Sequence, residues 1–255
     1  MTRRPDELGG SVVPGRWAVV ELLRTGRRRV RSVSLARERG PVVDEVAALA
    51  SAAGVPTRRR DPDQLRDEAG VEAAQGVVAH ADPLTPVTLA ALLTAPAAFL
   101  VALDGVTDPQ NLGAVLRSAS AAGATGVVLP RRRAALLTPA AMKAAAGAAE
   151  HVPIALVGGV AGALEQAARA GVWTIGRDTR ADATVYDLGV ADRPLLLALG
   201  AESAGLARLV RRRCDVIARV PMPGPTESLN VAAAATVACF EVARQRGTTV
   251  QHAPG

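Results

Sequence analysis

From residue 98 onward the chain alternates short, continuously apolar runs with segments of helical length, and the apolar runs lack the every-second-residue polarity of a half-exposed strand. A strand that is apolar at consecutive positions needs cover on both faces, which helices crossing over a parallel sheet supply. Strands are expected over residues 99–103, 126–129, 152–157, 172–175, 195–199 and 216–220. Helices are expected over 112–122, 139–148, 161–170, 206–211 and 230–246, with Gly123 and Gly171 ending two of them. The fold class that follows is α/β with a mostly parallel sheet. In such sheets ligands gather at the carboxyl ends of the strands, so the polar residues just after each strand are where chemistry is sought.

The first eighty residues have a lighter version of the same alternation. Helices are expected over 17–23, 42–53 and 63–69, and strands over 30–35, 55–60 and 76–80, which makes a small α/β unit. Residues 83–97 are rich in proline, alanine and threonine, with a short apolar helix over 88–93. The expected organisation is therefore a small domain over 1–82, a linker over 83–97 and a larger domain over 98–255. No formal charge lies between Asp82 and Asp104, a length that could span a bilayer, but Pro83, Pro86 and Pro96 oppose a membrane helix. The N-terminus carries charges of both signs with no apolar core behind them, so it does not read as a secretory signal. Cytoplasm is the expected location, and Cys214 and Cys239, which lack the spacing of a metal site or a disulfide framework, read as buried thiols in a reducing compartment.

The net charge is +6, almost all of the excess is arginine, and Lys143 is the only lysine. Arginine triplets recur at residues 27–29, 58–60, 131–133 and 211–213. One triplet alone reads as a solvated loop end; four together with a basic balance point to a polyanion such as nucleic acid. Only five aromatic residues are present, too few for an extended stacking surface, so binding is expected to lean on phosphates and RNA shape and to weaken steeply with salt. The three histidines, His80, His151 and His252, lack metal-ligand spacing, and no metal is expected.

Three segments follow expected strands directly. The first runs Leu103-Asp104-Gly105-Val106-Thr107-Asp108-Pro109-Gln110-Asn111-Leu112-Gly113-Ala114-Val115-Leu116-Arg117. The second is Leu199-Gly200-Ala201-Glu202-Ser203-Ala204-Gly205-Leu206, and the third runs from Val220-Pro221-Met222-Pro223-Gly224 through Thr226-Glu227-Ser228-Leu229-Asn230 into a long apolar helix. Singly, the first suits a helix start capped by Asn111 with Arg117 solvated, and the second suits a turn into a helix with a carboxylate at its start. No Gly-x-Gly-x-x-Gly opens a helix, so a dinucleotide site is unsupported.

In order and at these separations, the three segments resemble the signature motifs of the SpoU (TrmH) family of RNA 2′-O-ribose methyltransferases. The resemblance covers essentially the whole chain and is closest to the branch that methylates a guanosine of large-subunit ribosomal RNA. It implies S-adenosylmethionine as methyl donor, a SPOUT-type trefoil-knotted catalytic domain, a homodimer with the last helix at the interface, and a small ribosomal-protein-like domain at the N-terminus. Gln75-Gly76-Val77-Val78-Ala79 matches the end of that small domain, with Ala74 where relatives often carry histidine.

By the same resemblance, Gly200, Val220 and Leu229 hold the adenosine part of the cofactor through backbone groups, while Leu199 and Met222 give apolar contact to the adenine. Asn111, Ser228 and Asn230 position the target ribose and phosphate. Arg117 takes the central role, as base or, since guanidinium stays protonated in proteins, as a grip on the phosphate that lowers the hydroxyl pKa. Glu202 orients Arg117 or accepts the proton. The alternatives are a transfer RNA enzyme, a resistance methyltransferase of ribosomal RNA, or a non-catalytic RNA-binding protein of the same fold.

Overall fold

A computed structural model describes residues 7–72, 75–201 and 204–247. The first sheet is built from β1 (Val12–Pro14), β2 (Val30–Ala36), β3 (Thr57–Arg60) and β4 (Val77–Ala81), in the order β1-β4-β2-β3. Its β1–β4 and β4–β2 pairs are antiparallel and its β2–β3 pair is parallel. The helices between them are α1 (Arg16–Thr25), α2 (Pro41–Ala52) and α3 (Pro62–Ala69). Local chemistry sets their ends. Gly26 closes α1 in the left-handed region, Pro41 starts α2 at a position whose N–H needs no partner, and Asp61 with Gln64 forms a capping box at the start of α3. Strand β1 was not expected from the sequence, because three residues are too short to show a period and pairing with β4 creates it.

The second sheet has seven strands: β5 (Phe99–Asp104), β6 (Gly126–Pro130), β7 (Ile154–Val157), β8 (Trp173–Arg177), β9 (Ala183–Thr184), β10 (Leu195–Gly200) and β11 (Val216–Arg219). Their order is β7-β6-β5-β10-β8-β11-β9 and every pairing is parallel. Helices α4 (Leu89–Leu93), α5 (Pro109–Ala121), α6 (Pro139–Ala145), α7 (Val160–Arg169), α8 (Arg208–Arg212) and α9 (Val231–Gln245) cover it. The helix expected over 139–148 is shorter, because Ala146 and Gly147 both take positive φ, 49° and 93°, before a 3-10 turn at Ala148–Glu150. Strand β9, two residues long, also escaped the sequence pattern.

One apolar core runs through both sheets. It joins Val13, Val19, Val33 and Val46 of the first to Phe99, Leu116, Leu129 and Met142 of the second. Backbone bonds add to it: Gly10 N–H donates to Leu137 O at 2.7 Å, and Leu137 N–H to Leu8 O at 3.1 Å. Part of the segment expected as a linker lies on the second sheet, with Val87 N–H donating to Ile154 O at 2.9 Å and Leu89, Leu92 and Leu93 buried.

Arg28, from the first arginine triplet, is buried between the two halves. It donates to Glu150 Oε1 and Oε2 at 2.5 and 3.0 Å, and to the carbonyls of Gly10 and Asp82 at 2.7 and 2.5 Å. Its neighbour Arg27 donates to the carbonyls of Glu150 and His151. Two of the three arginines in that triplet thus hold the molecule together, whereas the sequence pattern counted the whole triplet toward a polyanion surface.

Candidate active site at the carboxyl ends of the parallel strands

Because the seven strands are parallel, the segments after β5, β10 and β11 emerge on one edge. The first opens α5. Asp108, not Asn111, caps this helix: its carboxylate accepts from the N–H groups of Gln110 and Asn111 at 3.1 and 3.3 Å, and Pro109 fills the first helical position. This leaves the Asn111 side chain available for a longer-range contact. Its Oδ1 accepts a 3.0 Å hydrogen bond from Asn230 Nδ2.

Asn230 in turn caps α9, its Oδ1 accepting from Ala232 N–H at 2.8 Å and Ala233 N–H at 3.4 Å. A single asparagine therefore fixes the start of the last helix and ties it to the start of α5, 119 positions away. Ser118 and Thr236 repeat the connection between the two helices, their hydroxyls 2.6 Å apart.

The segment after β10 turns sharply. Gly205 N–H donates to Ala201 O at 2.8 Å, and the turn folds back so closely that a Cβ on Gly200 would lie 2.1 Å from the carbonyl carbon of Gly205. Only glycine fits there. Asp104, the last residue of β5, accepts from Ala207 N–H at 2.8 Å and so joins the first segment to the second. Asp104 was not among the sequence candidates; its signal was an acidic residue closing an otherwise apolar strand. Glu202 lies outside the described residues.

Three hollows open along this edge. One of about 190 Å³ is lined by Gly105, Asp108, Asn111, Ala201 and Val231. One of about 300 Å³ is lined by Val220, Met222 and Glu227 among others, and one of about 700 Å³ by Arg177, Asp178, Ala201, Leu206, Arg208 and Ser228. Met222 and Leu229 are partly buried against the core, Val220 is buried, and Ser228 and Asn230 are exposed. Leu199 is different: its side chain is fully buried in the core, so apolar contact to a ligand is a poor role for it, and its place beside Gly200 is what matters.

Arg177, at the end of β8, is a second residue that the sequence patterns missed. Its Nε and Nη2 are buried with no hydrogen-bond partner, and burial lowers its pKa against the raising effect of Asp178. Those two nitrogens form one edge of the guanidinium, the edge that pairs two oxygens of a carboxylate or phosphate.

The structure does not bring Arg117 to this group. It stands six residues past Asn111, about 9 Å along the axis of α5 and about 120° around it. It is exposed and lines a separate concavity with Trp17, Ser120, Gly147 and His151. Among the described residues no cluster of three histidine, cysteine or acidic side chains could hold a metal, and no helix is long and apolar enough to cross a membrane.

Residues 98–240, more than half of the chain, match the model of the SpoU rRNA Methylase family. The chain belongs to that family. Residues 12–87 match a second model, RNA 2′-O ribose methyltransferase substrate binding. A 23S rRNA (guanosine-2′-O-)-methyltransferase, RlmB, of Pseudomonas aeruginosa is 42% identical over 240 residues, covering 92% of this chain and 96% of its own. An uncharacterized tRNA/rRNA methyltransferase of Mycobacterium ulcerans is 40% identical over 254 residues, covering 96% and 80%. Among solved structures, the SpoU methyltransferase AviRb from Streptomyces viridochromogenes, in complex with the cofactor AdoMet, superposes with a TM-score of 0.77. It is 28% identical, with 93% of this chain and 91% of that one covered.

Proposed function

We propose that this protein transfers a methyl group from S-adenosylmethionine to the 2′-hydroxyl of a ribose in RNA, with a guanosine of 23S ribosomal RNA as the target. The observation that carries the reading is the Asn230–Asn111 hydrogen bond, which closes the first and third family segments around a hollow bounded on another side by Ala201 of the second. The relatives of known assignment at about 40% identity support the ribosomal target.

S-adenosylmethionine suits the residues present. Gly200 lets the turn close tightly onto Gly205, Val220, Met222 and Leu229 offer an apolar wall, and the unpaired edge of Arg177 answers the cofactor's carboxylate. The bound cofactor supplies a methyl group activated by its positive sulfur. Asn111, Ser228 and Asn230 orient the ribose and phosphate through hydrogen bonds, which sets the hydroxyl in line for transfer. Arg117 stays protonated and holds the neighbouring phosphate, lowering the pKa of the hydroxyl, while Glu202 or the phosphate takes the proton.

Within one chain Arg117 lines a different hollow from Ser228, and this separation supports an active site shared between two copies in a homodimer. Residues 1–82 capture RNA, residues 98–255 carry the transfer, and the protein works in the cytoplasm. A trefoil knot is supported by the place of β10, which lies between β5 and β8 although it follows both in the chain.

The test is incubation of purified protein and labelled S-adenosylmethionine with ribosomal RNA from cells lacking the gene, followed by digestion and mapping. One 2′-O-methylguanosine in 23S RNA is expected. Label in transfer RNA alone would move the target, and RNA binding without transfer would make the chain a binding protein.

A further inference from the structure

Trp17 is a large apolar side chain left 51% exposed, on a helix whose buried face is already supplied by Ala18, Val19, Val20 and Leu22. Packing gives no reason for an indole there. Arg16 holds its guanidinium 4.5 Å from the ring centroid and is itself fixed by Glu45 at 2.9 and 3.2 Å. One face of the ring is thus covered by a cation, and about half of the residue stays open to solvent.

The ring borders a concavity of about 320 Å³ whose remaining lining includes Arg117, Glu21 and His151 around a floor of Ala121 and residues 145–148. The floor is low because of the break between α6 and the 3-10 turn. Gly147 takes a φ of 93°, and a Cβ on it would meet Glu21 at 2.6 Å and the Trp17 carbonyl at 3.1 Å. Gly147 thus lets α1 pack close against the turn, and the small side chains of Ala121, Ala145, Ala146 and Ala148 leave the hollow between Trp17 and the arginine assigned to the RNA phosphate. Glu21, the acid at the rim, is already engaged by His151 at 2.7 Å.

We propose that this concavity receives one unpaired base of the RNA substrate, stacked on Trp17, within one nucleotide of the ribose whose phosphate Arg117 holds. The inference rests on the function assigned above and adds a specificity-determining residue to it. The scarcity of aromatic residues rules out a long stacking surface, but a single flipped or looped base needs only one platform. Trp17 lines none of the strand-end hollows, so it acts by positioning the RNA.

The chain has two tryptophans, and Trp173→Phe leaves Trp17 as the only indole. That variant is titrated with an RNA stem-loop around the methylated nucleotide, and with the same RNA made abasic at single positions. Trp17 fluorescence is expected to be quenched, and quenching to be lost when one base beside the target is missing. Trp17→Ala is expected to raise the Kd and KM for this RNA on the order of ten-fold, with kcat and the Kd for S-adenosylmethionine unchanged and Trp17→Phe restoring most of the loss.

RNA that binds without quenching Trp17, or binds Trp17→Ala as tightly as the unaltered chain, overturns the platform. A Trp17→Ala chain that changes its sedimentation but not its RNA affinity gives the surface to a second copy and also overturns it. Quenching by RNA with no methyl transfer from the unaltered chain would keep the platform and remove the enzymatic reading, so the two fail separately.

Discussion

Arg28 and Glu150 meet at 2.5 Å with side chains 7% and 0% exposed, joining the turn before β2 to the 3-10 turn after α6. A buried pair of this kind adds little over apolar packing, but losing one partner strands the other without water. The two further carbonyl bonds of Arg28 make the loss larger. Arg28→Ala is expected to cost about 3–5 kcal/mol in urea unfolding. A loss under about 1 kcal/mol would mean that water reaches Glu150.

Gly200→Ala is expected to abolish measurable binding of S-adenosylmethionine in titration calorimetry, because the added carbon lies 2.1 Å from Gly205 and pushes the turn away from the cofactor. The overpacking itself is expected to cost about 1–3 kcal/mol, read as a lower Tm. Retained affinity would place the cofactor away from this turn.

Arg117→Ala is expected to lower kcat on the order of a hundred-fold or more, with cofactor affinity unchanged, since Arg117 lines none of the three strand-end hollows. If the site is shared between copies, mixing Arg117→Ala with Gly200→Ala restores part of the activity, because one mixed site keeps both residues. Mixtures as inactive as their parents would confine the site to a single chain.

Glu68 gives a pH-dependent contribution to stability. Burial works to raise its pKa, but hydrogen bonds from Ser34 and His80 and the charges of His80 and Arg60 outweigh this, and the net pKa lies below the ordinary value of 4.5. A lowered carboxylate pKa stabilises the fold above the unfolded pKa, and the contribution disappears as pH falls through the folded pKa. The Tm difference between the unaltered chain and Glu68→Gln is therefore expected to be largest above about pH 5 and to shrink toward about pH 3. A difference constant over that range would remove Glu68 from acid unfolding.

Burial pushes both thiols up to about 12. Cys239 is buried in the core and Cys214, only partly buried, donates its S–H to Val210 O at 3.3 Å. Neither is expected to react with a disulfide reagent at about pH 8 until denaturant is added, because the thiolate is the attacking species. Rapid labelling of the native protein would show that Cys214 is more open than its neighbours indicate.

The alternation of apolar runs made the parallel sheet legible, since Leu195–Gly200 and Phe99–Asp104 have no polar face to expose. The family segments made the strand-end edge legible for the same reason, as parallel strands deliver their following residues together. What stayed hidden depends on contacts across the chain. Arg28 looks like Arg29 in the sequence and differs only in facing Glu150, and Asp108 displaces Asn111 as a cap because Asn111 has Asn230 to meet. Arg177 carried no motif at all; its unpaired edge exists only once β8 is flanked by β10 and β11.

The apolar packing that runs from the first sheet into the second bears on how a target is chosen. With one core beneath both, the surface around Trp17 and the hollows at the strand ends stand at a set separation within each chain. On the function proposed above, the choice of RNA then depends on the spacing of its contacts as well as on their identity.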